Sequence, residues 1–98
     1  MSKSKSVSEI HAELCDKLKS IYAAKNADYG NSFHDARLQL PYYTLGRLYD
    51  KFSRIKTLFL SETERQVTAE TIEDTLLDLA NYALMELAER IAEHRSTN

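Results

Sequence analysis

Apolar residues recur along this chain at helical spacing. Val7, Ile10, Leu14, Leu18, Ile21 and Tyr22 form one stripe with a period near 3.6 residues. Ser6 followed three positions later by Glu9 is a capping-box start, so the stripe predicts a helix opening at Ser6 and running to about Asn26. A second stripe, Leu45, Leu48, Tyr49, Phe52, Ile55 and Phe59, predicts a helix that starts between Pro41 and Thr44 and reaches Leu60. Gly46 weakens its first turn by about 1 kcal/mol relative to alanine. A third stripe, Ile72, Leu76, Leu79, Ala83, Leu87 and Ile91, predicts a helix capped by Thr68 and extending to about His94.

Between the first two helices, residues 26–41 lose the period. They hold Gly30, Asn31, Ser32 and Pro41, which predicts an ordered connection with a short helical turn around His34 to Leu38. Residues 61–67 form a polar link. The expected fold is all-α: an up-down bundle of three main helices, one domain over residues 7–95 behind a flexible tail over 1–6. The third helix also carries Leu77, Tyr82, Leu84 and Met85 off its main stripe. Those residues need a second cover, and a chain of 98 residues buries a modest share of its surface, so neighbouring chains are expected to complete a larger bundle.

Composition fits an ordered helical chain, with 43% hydrophobic residues, 29% charged residues, two glycines and one proline. A formal net charge of -2 supplies no basic excess for duplex nucleic acid or an anionic membrane. No apolar segment approaches the roughly 20 residues of a membrane span. The Ser/Lys stretch from Met1 to Ser6 has no apolar run behind it, unlike a secretory signal. Cys15 is the sole cysteine, which leaves no intrachain disulfide and places it as a small core or near-core residue. These features point to the cytoplasm.

Three groups of residues carry candidate chemistry. On the third helix Glu70, Asp74 and Asp78 recur every four residues, with Asn81 beyond them, and align oxygen-bearing side chains in one stripe. Asp74 and Asp78 are the candidate metal ligands, because Mg²⁺ takes one or two carboxylates with phosphates and waters. A solvated acidic face has the same pattern. On the second helix Arg47, Lys51 and Arg54 stand one turn apart, spaced to grip phosphate by fork and point charge or to pair with Asp74 and Asp78 across helices. The connection adds Lys25, Asp28, Tyr29, Asn31 and Phe33, with His34, Tyr42 and Tyr43 close by. Aromatics can stack on a base and Asn or Asp can read its edge, while the same aromatics can simply plug a bundle end.

Three segments in order, Lys25-Asn26-Ala27-Asp28-Tyr29-Gly30-Asn31-Ser32-Phe33, Arg47-Leu48-Tyr49-Asp50-Lys51-Phe52-Ser53-Arg54-Ile55 and Glu73-Asp74-Thr75-Leu76-Leu77-Asp78-Leu79-Ala80-Asn81-Tyr82, resemble the nucleotide-modification-associated domain 1 family. The resemblance covers residues 10–90 and implies small proteins, mostly of phage or prophage origin. More distantly, Asp78-Leu79 is similar to the acid-bearing helix of the MazG-like all-alpha nucleoside triphosphate pyrophosphatases. Those enzymes hold Mg²⁺ through acids on two helices, in a Glu-Glu-x-x-Glu and a Glu-x-x-Asp pattern. Here Thr75 stands where the second pattern has Glu, and the second helix offers Asp50 among basic residues. Arg47, Lys51 and Arg54 repel a metal and attract phosphate directly.

Three functions follow as expectations. The first is non-catalytic binding of a nucleotide-like phosphorylated small molecule, with a basic stripe on phosphate and an aromatic loop on the base. In a phage protein that would sequester a nucleotide immune signal in the host cytoplasm. The second is Mg²⁺-dependent pyrophosphohydrolysis, with Asp74 and Asp78 as ligands. The third is a helical module that binds another protein through its apolar surplus.

Overall fold

The structure, a computed structural model, describes residues 4–29, 31–60 and 68–96, and the side chains within them except those of 27–29, 68–70 and 96. The described residues form four helices and no strand: α1 Val7–Tyr29, α2 Ser32–Gln39, α3 Tyr43–Leu60 and α4 Thr68–Ser96. None is long and apolar enough to cross a membrane. The chain divides into two compact units, Met1–Ser32 and Phe33–Asn98.

In the first unit the predicted capping box closes reciprocally. Ser6 N donates to Glu9 Oε1 at 3.0 Å and Glu9 N to Ser6 Oγ at 3.1 Å, and the backbone bond from Ser6 holds the Glu9 carboxyl below its ordinary pKa. Helix α1 runs past Asn26 to Tyr29, because nothing before Gly30 breaks it. Cys15 is exposed rather than near-core, one position beyond the Leu14 stripe and 3.9 Å from His11 Nδ1.

The second unit holds α2, α3 and α4. The short turn expected at His34 to Leu38 is a two-turn helix, with Asp35 in its first turn and Arg37 in its last. A tight turn then reverses the chain: Tyr43 N donates to Leu40 O at 3.1 Å, with Pro41 and Tyr42 between them. Tyr42 has a φ of 64°, the position at which a Pro-led type II turn prefers glycine. Tyr42 O in turn accepts from Gly46 N at 3.0 Å as α3 begins.

Helices α3 and α4 pack as an antiparallel hairpin. Arg47 meets Tyr82 and Lys51 meets Asp78, so four residues up α3 are four residues down α4. The seam between them differs from the one the apolar stripes predict. Ile55 and Ile72 are the buried hydrophobic side chains among the described residues, joined by Thr44 and Thr75. Leu45, Tyr49, Phe52 and Phe59 on α3 are 50–71% exposed, and Leu76, Leu87 and Ile91 on α4 are exposed as well. The reason is that α3 is amphipathic on two sides. Arg47 and Lys51 bury their aliphatic stems in the seam and rotate the most apolar face out of it. Thr75 fits between the helices because its hydroxyl bonds Thr71 O at 2.8 Å within its own helix.

At 100° per residue, Leu45, Tyr49, Phe52 and Phe59 lie roughly 100° round α3 from the seam, and Leu76 and Leu87 lie as far round α4 in the same sense. In antiparallel helices that puts both stripes on one side of the hairpin. In this unit α3 and α4 therefore meet in a two-helix seam with one apolar and one polar side.

Candidate ligand-binding cleft

The polar side of the hairpin carries an open cleft of about 640 Å³. Asp50, Lys51, Ser53, Arg54 and Thr57 line it from α3, and Thr71, Asp74, Thr75 and Asp78 from α4. The one-turn repeats read from the sequence place Lys51 and Arg54 here from α3 and Asp74 and Asp78 from α4. The structure thus brings together four of the predicted site residues: Lys51, Arg54, Asp74 and Asp78.

Lys51 Nζ lies 3.6 Å from Asp78 Oδ2, with the lysine side chain 19% exposed and the carboxylate 56% exposed. Arg54 is exposed and forms no ion pair among the described residues. Among the described residues the cleft therefore holds one cation in no ion pair beside one that is loosely paired. Its two cations face three carboxylates, so an anion is drawn by position rather than by net field. Among the described residues no three His, Cys, Asp or Glu side chains converge as a metal-binding group. Asp74 and Asp78 supply two carboxylates from one helix, a set that suits Mg²⁺ arriving on a ligand's phosphates better than a resident ion. Asn81, the end of the predicted acidic stripe, is buried, and the side chain of Glu70 lies outside the described residues, as do those of Asp28, Tyr29 and the predicted cap Thr68.

The other predicted residues sit elsewhere. Arg47 lies over the Tyr82 ring, 5.3 Å from its centroid, and its Nη2 donates to Tyr82 Oη at 3.2 Å. Phe33 packs on Tyr43 and Tyr82, with ring centroids 6.0 and 6.2 Å apart, which is the bundle-plug arrangement. Lys25 and Asn31 are in the first unit, and Asn31 is exposed.

A charged network ties α2 to α4. Arg37 makes a bidentate pair with Glu86, Nε to Oε1 at 2.8 Å and Nη2 to Oε2 at 2.9 Å, and also reaches Glu93 at 2.8 Å. Arg90 donates to Glu86 at 2.7 Å and His34 bonds Glu89 at 2.7 Å. Arg37 holds the Glu86 carboxyl down at about 2, and Glu86 raises the Arg37 guanidinium. Glu89 raises the His34 pKa. The signal for this network in the sequence is the 3-4 repeat Glu86, Glu89, Glu93 on α4, which points at Arg37 only once α2 is known to be a helix.

Over residues 25–89, from the end of α1 through the cleft and most of α4, the chain matches the family described as nucleotide modification associated domain 1, and it belongs to that family. No curated protein and no solved structure matches it.

Proposed function

We propose that this member of the family binds a nucleotide-like phosphorylated small molecule in the α3–α4 cleft without turning it over. The observation that carries this reading is Arg54, in no ion pair among the described residues, beside loosely paired Lys51 in a cleft that Ser53, Thr57 and Thr71 also line. A guanidinium and an ammonium one turn apart can take two phosphate oxygens, and the Ser53 hydroxyl can donate to a third. The family's description, nucleotide modification associated, favours a nucleotide as the phosphorylated ligand. In a phage-encoded protein such binding would sequester a nucleotide signal in the host cytoplasm, and the working unit would be a homo-oligomer.

A second reading is Mg²⁺-dependent hydrolysis of the MazG-like type, favoured by Asp74 and Asp78 lining the same cleft. It ranks lower because two carboxylates from one helix leave a resident metal short of protein ligands. Here Mg²⁺ would polarise a phosphate, while Lys51 and Arg54 would orient it.

A melting screen with nucleoside di- and triphosphates and cyclic nucleotides, with and without Mg²⁺, tests both. A ligand at 100 times its Kd adds about 2.7 kcal/mol to folded-state stability. For a chain of this size that is a rise of roughly 10 to 20 °C. Lys51→Met, which keeps the buried stem, with Arg54→Ala should remove the rise and leave the unliganded Tm within a few degrees. An unshifted melt with every nucleotide, or a shift untouched by the double variant, refutes the binding site. Robust Mg²⁺-dependent turnover lost in Asp78→Asn puts hydrolysis in its place.

A further inference from the structure

The side of the hairpin opposite the cleft is built from Leu45, Tyr49, Phe52 and Phe59 on α3 and Leu76 and Leu87 on α4, each 44–71% exposed. Taking about 200 Å² for a large apolar side chain, the six expose on the order of 700 Å². That exceeds the largest apolar patch of a typical monomer, roughly 300 to 600 Å², and approaches the roughly 800 Å² that each partner contributes to a standard stable interface. With Ile55 and Ile72 as the buried hydrophobics of the seam, the hairpin's own core is thinner than the surface it leaves outside.

We infer that this face is where a second copy of the chain docks, the two hairpins stacking face to face into a four-helix arrangement with both clefts turned outward. The inference deepens the homo-oligomer reading given above by naming its surface, and it is independent of the ligand. Three features choose a second copy as the occupant. The face is two helices wide, and Leu45, Phe52 and Phe59 repeat every seven residues, the spacing of a helix that lies along another helix. It is also self-complementary: by the register of Arg47 with Tyr82 and Lys51 with Asp78, Tyr49 stands level with Ala80. The aromatics of α3 thus run beside Ala80, which Leu76 and Leu84 flank one turn either side, and a two-fold axis would set the aromatics of each copy against that α4 face of the other. Finally, on α3 Lys56 is the one charge within this stripe, whereas a membrane-lying helix flanks its apolar face with many basic residues.

Light scattering and sedimentation from micromolar to millimolar protein test the surface. The parent should have at least twice the 11.3 kDa chain mass. Tyr49→Glu with Phe52→Glu should lower it to one chain mass and weaken association at least 100-fold, with helix content by circular dichroism retained. Tyr49→Ser with Phe52→Ser, which adds no charge, gives the same reading if the Glu pair does not fold. Ala92→Glu, exposed and roughly 150° round α4 from Leu76 and Leu87, should leave the mass unchanged. A parent mass of 11.3 kDa throughout overturns both the surface and the oligomer reading. An oligomer that survives both double variants overturns the surface alone, and a nucleotide-dependent melt retained by the Ser pair shows that cleft and docking face are separable.

Discussion

Glu86→Gln is the substitution whose cost the structure sets most directly. The side chains of Arg37 and Glu86 are 16% and 18% exposed and share two parallel hydrogen bonds, so their interaction is little screened by water. The folded-state pKa of Glu86, about 2, lies below its ordinary value of 4.5. At 1.36 kcal/mol per pKa unit, ionised Glu86 contributes about 3 kcal/mol. Because the folded pKa is depressed, that contribution is fully present above pH 4.5 and is lost as pH falls from there through about 2.

The amide keeps the shape and removes the charge, as protonation does. The variant should therefore be about 3 kcal/mol less stable than the parent at pH 7 and nearly equal to it at pH 2. Urea unfolding followed by circular dichroism, at one protein concentration so that any self-association is held fixed, measures the difference across that range. A difference that stays constant with pH, or that is under about 0.5 kcal/mol at pH 7, would mean that the α2–α4 anchor is a surface pair of little worth.

Other outcomes follow from single residues. Tyr42→Gly should raise stability by about 0.5 to 1 kcal/mol, or a few degrees in Tm, since glycine takes a φ of 64° without the clash that a Cβ meets there. The His34 imidazole should titrate above 6.5 by NMR and fall back in Glu89→Gln; its contribution to stability is present below pH 6.5 and lost as pH rises through the raised value. Asp74→Asn should leave nucleotide binding nearly intact if the ligand needs only Lys51 and Arg54, and should weaken it only with Mg²⁺ present if the ligand carries the metal.

What the sequence made legible was periodicity. Three long helices, the reciprocal cap of Ser6 and Glu9, and the one-turn spacings that bring Lys51, Arg54, Asp74 and Asp78 to one cleft all follow from local rules that need no partner. Helix α2 was half legible, because Asn31, Ser32 and Pro41 mark its flanks while the eight residues between are too few for a stripe. Arg47 and Phe33 illustrate the limit. Each was spaced for a ligand, and each is committed to Tyr82, a residue that reaches them from 35 and 49 positions away.

The orientation of the stripes was not legible at all, and the cause is physical. An apolar stripe says which side of a helix avoids water but not what covers it, and α3 offers two sides that can pack. Thr44, Leu48, Lys51 and Ile55 are buried or half-buried and make a seam that α4 can approach, because threonine is small and the lysine stem is slim. The bulkier Tyr49, Phe52 and Phe59 would hold α4 farther away and give up the Lys51–Asp78 contact. Placing the slim, half-polar side inside leaves both cations at the edge of the cleft and the aromatic side outside. The same rotation of α3 that builds the proposed ligand site therefore also creates the surface that a second copy would cover.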